Sequence, residues 1–149
     1  MIKILFICHG NICRSPLAEF IMKDLVKKEG LENNFYIASC ATSTEEIGNR
    51  VYPPIARILD RLGIDYSEKR ATQVKKSDYE KYDYLICMDS NNIRNLSRII
   101  GSDTENKVHL LLDFADGGYV SDPWYSRDFE TCLNDVTRGC KALLEKLKQ

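Results

Sequence analysis

The chain opens "MIKILFICHGNICRSP", Met1 to Pro16, and the fold turns on how these residues are read. Ile2–Cys8 is a near-continuous run of apolar and β-branched residues, the pattern of a strand covered on both faces. Gly10 and Asn11 follow, the two residue types that tolerate positive φ most readily. Ser15 is a good N-cap and Pro16 is favoured at the first helical position, so a helix is predicted to start there. A turn that mixes left- and right-handed residues points successive N–H groups into one concavity. The positive end of the helix dipole faces the same concavity. A cysteine at its rim, Cys8, is predicted to have a lowered pKa and to be a thiolate at neutral pH. Arg14 supplies a planar fork that holds two phosphate oxygens at once, which a lysine cannot do. Together these residues place a nucleophile against the phosphorus of a bound monoester. The plainer alternative is a buried cysteine at a strand end with a surface arginine. The agreement of strand, turn, helix start and Arg14 favours the anion site.

The sequence contains its own control. Cys132 and Arg138, in "CLNDVTR", repeat the spacing of Cys8 and Arg14, so spacing alone decides nothing. Cys132–Arg138 lies inside a helical pattern that contains no glycine between the two residues. Helical N–H groups are committed to i→i−4 bonds and cannot converge on an anion.

Working outward, Phe35–Ser39, Tyr84–Met88 and Lys107–Leu112 read as further strands. Helical periodicity appears in Pro16–Glu29, Pro54–Leu62, Asn91–Ile100 and Phe129–Leu147, with Leu17, Ile21 and Leu25 recurring every four residues in the first. Alternating strands and helices predict an α/β fold, a four-stranded parallel sheet flanked by helices on both faces, with the phosphate loop after the first strand. No repeat or linker divides the chain, so residues 1–149 are expected to form one domain.

With 44% hydrophobic and 29% charged residues, the chain has the composition of a soluble globular protein. A net charge of −1 lacks the basic excess of a nucleic-acid binder, and no run is long enough to span a bilayer. The apolar start is short, lacks a cleavage pattern and reads as a strand rather than a signal peptide. A cytoplasmic location is therefore expected, with the 6 cysteines as thiols. No cysteine–histidine cluster has metal-ligand spacing, so neither a metal nor any other cofactor is expected.

Displacing an alkoxide or phenoxide needs a proton donor. In a parallel sheet, ligands sit beyond the carboxyl ends of the strands. Two loops leave that edge, and they offer Asp89 or the four aspartates of "DFADGGYVSDPWYSRD" (Asp113, Asp116, Asp122 and Asp128). Asp122 is the preferred acid: Pro123 stiffens it, and Trp124 and Tyr125 are placed to line an aromatic slot that would raise its pKa. The expected reaction is attack by Cys8 with protonation of the leaving oxygen by Asp122, then hydrolysis of the phosphocysteine. Cys13, across the same loop, is spaced to form a reversible disulfide with Cys8 or to be a small buried thiol.

"CHGNICRSPLAE", the "MDSNN" after the third strand and "DPWY" in the last long loop resemble the low-molecular-weight protein tyrosine phosphatases. The resemblance spans essentially the whole chain. It implies phosphotyrosine protein or peptide substrates, inhibition by inorganic phosphate and similar oxyanions, and no metal cofactor. By motif position it implies Cys8 as nucleophile, Arg14 as phosphate ligand and Asp122 as general acid. His9, Gly10, Asn11, Ile12, Cys13 and Ser15 complete the phosphate loop. Asn11, Ser15 and Ser39 match the polar network that holds the loop's shape, and Cys13 the cysteine that protects the nucleophile. Glu45 stands where many members carry a tryptophan at the cleft wall, and is expected to disfavour acidic peptides. Trp124 stands where tyrosine is usual, while Tyr125 remains. The histidine frequent near "KRATQV" is absent.

Two enzyme families share this pattern. Arsenate reductases have a relay cysteine that Cys87 resembles, but "MDSNNIRNLSRIIG" lacks the further cysteine which that chemistry needs. Protein arginine phosphatases tend to carry threonine where Ile12 offers only an apolar wall, suited to an aromatic ring. A non-catalytic anion-binding module is the third alternative, and it has no use for an acid such as Asp122.

Overall fold

The computed structural model describes residues 1–148. Four strands, β1 (Ile2–Cys8), β2 (Phe35–Ala41), β3 (Tyr84–Cys87) and β4 (Val108–Leu110), form one sheet in the order β2-β1-β3-β4. Every pairing is parallel, and Ile7 of β1 sits between Cys40 of β2 and Cys87 of β3. Six helices connect or flank them: α1 (Arg14–Lys28), α2 (Pro53–Arg61), α3 (Asp78–Lys81), α4 (Ser90–Ile100), α5 (Pro123–Ser126) and α6 (Phe129–Leu147). The expected α/β architecture is present.

Strand alternation splits the core in two. Ile4, Phe6 and Cys8 face one side, packed with Leu17 and Met22 of α1, Leu59 of α2 and Leu143 of α6. Leu5 and Ile7 face the other, packed with Leu96 and Ile100 of α4 and Tyr79 of α3. Leu17 and Leu59 expose no surface, and burying each contributes about 1.5–3 kcal/mol. Gly139 of α6 lies where a Cβ would collide with the side chain of Leu111, so glycine permits the close approach of α6.

Three local expectations are corrected. Leu111 and Leu112, read as the end of the fourth strand, belong to a 3₁₀ turn over Leu111–Phe114. Both are buried, and a short apolar run fits either geometry. Helix α1 starts at Arg14 with Cys13 as its N-cap, so Ser15 is not the cap; its hydroxyl is used by the loop instead. Of the two turn residues, only Asn11 adopts positive φ, at 61°.

At the carboxyl edge of the sheet, Asp89 caps α4 by accepting from the Asn92 N–H at 2.9 Å. Asn92 Oδ1 in turn accepts from the N–H groups of Met88 (3.0 Å) and Asp89 (3.2 Å). This capping box fixes Asp89 at the end of β3, facing the start of α1. The Val120 N–H donates to the Met88 carbonyl at 3.0 Å, and the Ser121 N–H donates to Asp135 of α6 at 3.0 Å. These two bonds bring the long loop after β4 back over the same edge.

Candidate active site

The loop from Cys8 to Arg14 is built around the Asn11 side chain, which is 1% exposed. Its Nδ2 donates to Ser15 Oγ (2.8 Å) and to Ser39 Oγ (2.9 Å), and its Oδ1 accepts from the Thr72 N–H (3.2 Å). A left-handed residue normally pays for a side chain; here the side chain ties loop, helix and sheet together. Ser15 Oγ accepts from Asn11, which leaves its hydroxyl proton for Cys8 Sγ at 2.9 Å. The Asn11 N–H is directed at the same sulfur at 3.3 Å. Two donors converge on one sulfur.

Behind Asn11, Ser39 donates to Glu19 Oε1 at 2.5 Å, and Glu19 Oε2 accepts from Lys23 Nζ at 2.6 Å. Lys69 Nζ donates to the Ser39 carbonyl at 2.9 Å and lies 3.6 Å from Glu19. Burial lowers the Lys69 pKa, with Glu19 opposing that shift. Glu19 and Lys69 were missed in the sequence. The signal for Glu19 was available: it is four residues after Ser15, on the same face of a helix whose neighbouring positions are apolar. Lys69 gave none, because its partners lie 30 and 50 positions away.

Arg14 is 3% exposed. Its Nη1 donates to Asp89 Oδ2 at 2.8 Å and to the Val120 carbonyl at 3.1 Å, while Nη2 faces Asp122 Oδ2 at 3.4 Å. Burial works against the Arg14 charge, but Cys8, Asp122 and Asp89 outweigh it and raise the pKa. Asp122 caps α5 through a 3.0 Å bond from the Trp124 N–H to Oδ1. The aromatic slot expected around it is open. Trp124 leans on Tyr52 with ring centroids 5.2 Å apart, and Tyr125 is 83% exposed.

Cys8, Arg14 and Asp122 line one cleft of about 390 Å³, together with His9, Gly10, Ile12, Cys13, Glu45, Trp124 and Tyr125. Asn11, Ser15 and Ser39 stand behind the wall as supports. Asp89, weighed in the sequence only as a possible acid, instead holds Arg14. His9 Nε2 pairs with Glu45 Oε2 at 2.9 Å on the rim, a contact that spacing did not suggest. All 6 cysteines are free. Cys13 is buried, and its pKa is raised by burial first and by Cys8 second. Among the described residues, no helix is long and apolar enough to cross a membrane.

Fold and cleft together define a parallel α/β protein whose first strand ends in a cysteine that shares a cleft with Arg14 and Asp122. The family described as low molecular weight phosphotyrosine protein phosphatase matches residues 3–149. The Bacillus subtilis (strain 168) low molecular weight protein-tyrosine-phosphatase YfkJ is 38% identical over all of this chain and 97% of its own. The Gallus gallus low molecular weight phosphotyrosine protein phosphatase is 42% identical over 97% of this chain and 94% of its own. The YfkJ crystal structure superposes with a TM-score of 0.94, covering 99% of this chain and 95% of that one. A Drosophila arginine phosphatase superposes at 0.90 with 25% identity, covering 99% of each chain. The chain belongs to the low molecular weight phosphotyrosine protein phosphatase family.

Proposed function

We propose that residues 1–149 act as one catalytic domain that hydrolyses phosphotyrosine monoesters in proteins or peptides. The observation that carries this reading is the Cys8 sulfur, held by Ser15 and the Asn11 N–H in a cleft whose walls include Arg14 and Asp122. Sulfur attacks phosphorus and the phosphorus–oxygen bond breaks as Asp122 passes its proton to the leaving oxygen. Water then attacks the phosphocysteine, gives its proton to Asp122, and releases phosphate and the Cys8 thiolate. Arg14 and the loop N–H groups carry the charge of the transferring group, so inorganic phosphate and similar oxyanions inhibit. His9, Gly10, Ile12 and Cys13 shape the loop. Glu45, Trp124 and Tyr125 meet the residues that flank the phosphotyrosine. The site of action is the cytoplasm, where peroxide oxidises Cys8 to a sulfenic acid and the Cys13 sulfur displaces its hydroxyl as water, closing a reducible disulfide that protects the nucleophile.

The Drosophila arginine phosphatase shares the fold, so the fold does not choose the leaving group. Ile12 supports phosphotyrosine: it lines the cleft with an apolar side chain that suits a phenyl ring and offers no hydrogen bond to a guanidinium. Arsenate reduction fits less well. Cys87 is fully buried in the core on the sheet face opposite Cys8, away from any relay.

Asp122→Ala tests the acid role. Expected is a loss in kcat/KM of about 3 kcal/mol in transition-state terms on phenyl phosphate, and far less on p-nitrophenyl phosphate, whose leaving group needs no proton. Steady-state assays without added metal read both. Equal losses would remove Asp122 from the acid role. A parallel comparison of phosphotyrosine and phosphoarginine peptides decides the leaving group.

A further inference from the structure

Arg127 has the backbone of a glycine and the contacts of an anchor. It lies at φ 59° and ψ 15°, in the left-handed region that residues with a Cβ avoid. Its side chain is nonetheless fixed at an exposed position. Nη1 and Nη2 both donate to the Tyr52 hydroxyl at 3.2 Å. The guanidinium lies 5.6 Å from the centre of the Tyr52 ring and 5.1 Å from that of Phe129.

The two ends of this contact belong to different parts of the cleft. Arg127 closes the turn that carries Asp122: its N–H donates to the Pro123 carbonyl at 2.9 Å, and the N–H groups of Tyr125 and Ser126 donate to the Asp122 carbonyl at 3.3 Å. Tyr52 belongs to the wall of the phosphate loop, because its N–H donates to the Ile12 carbonyl at 2.9 Å. The Trp124 ring packs on the same tyrosine. Trp124, Tyr125 and Ser126 are exposed on this side of the turn.

We propose that the Arg127–Tyr52 contact is a latch that positions the acid turn over the phosphate loop, so that Asp122 meets the leaving oxygen. Arg127 is a positioning residue and touches neither substrate nor phosphorus. The inference rests on the reading of Asp122 as the acid.

The test uses Arg127→Gly, which keeps the left-handed backbone and deletes the latch, so relieved strain cannot be mistaken for lost function. Values of kcat/KM are measured on phenyl and p-nitrophenyl phosphate, because kcat/KM stops at the first irreversible step. Expected is a loss of about three- to tenfold on phenyl phosphate and of less than about twofold on p-nitrophenyl phosphate. Tyr52→Phe, which keeps the ring and removes the hydroxyl acceptor, shows the same selectivity at smaller size, and serves if the glycine variant fails to fold. Equal loss on both substrates, or none on either, overturns the latch. If Asp122→Ala shows its leaving-group dependence and the two latch variants do not, the latch alone is wrong. If Asp122→Ala shows no such dependence, the acid assignment falls and the latch with it.

Discussion

Cys8→Ser abolishes the hydrolysis of aryl phosphates while leaving phosphate binding in place. A serine oxygen can accept the same hydrogen bonds from Ser15 and the Asn11 N–H. It is not ionised at neutral pH, so it is a far weaker nucleophile than a thiolate. The expected loss in kcat is on the order of 10⁴-fold or more. Binding survives because the arginine and the loop N–H groups are untouched. The sole tryptophan, Trp124, lines the cleft and reports binding by fluorescence when inorganic phosphate is titrated in. A serine variant that retained substantial turnover would remove Cys8 from the nucleophile's role.

Arg14→Ala loses both binding and rate, by about 10³-fold in kcat/KM or more. One half of the guanidinium is committed to structure, through Asp89 and the Val120 carbonyl, and the other half faces the cleft. Alanine therefore removes the guanidinium that lines the cleft and strands Asp89, whose side chain is 19% exposed, without its cation. A fall in melting temperature is expected alongside the kinetic loss. Arg14→Lys separates the two effects. A lysine can still neutralise Asp89 but lacks the second donor arm, so stability recovers further than activity. Equal recovery of both would show that Arg14 acts through Asp89 alone.

The sequence was most informative where the chemistry was local, even though Gly10 does not adopt positive φ and Ser15 is not the cap. The apolar run of β1, the Gly10-Asn11 turn and the helix after it share one short segment, and each constrains the next. The parallel sheet and the edge that carries the cleft followed from strand–helix alternation and the rule that ligands sit beyond strand ends; the order of the strands did not. What was missed depends on contacts between distant segments. Glu19 and Lys69 complete a network that reaches Cys8 through Ser39, Asn11 and Ser15. Arg127 and Tyr52 meet across 75 positions. The open aromatic slot has the same origin. Trp124 was expected to shield Asp122, but Tyr52 offers its ring a better surface. Leu111 and Leu112 were misread for a different reason: a buried apolar run specifies burial and leaves the backbone geometry open.

The most direct measurement is the alkylation of cysteines by iodoacetate at neutral pH, with and without inorganic phosphate, mapped by peptide mass. Burial raises the pKa of Cys13, Cys40, Cys87 and Cys140, and pushes Cys132 up to about 12 against the opposing pull of Arg14. Those five therefore stay protonated and slow to react with iodoacetate at neutral pH. The label is predicted to fall on Cys8 alone, and saturating phosphate to slow it by an order of magnitude or more by occupying the loop above the sulfur. A label spread over the other thiols, or a Cys8 rate indifferent to phosphate, would contradict the account.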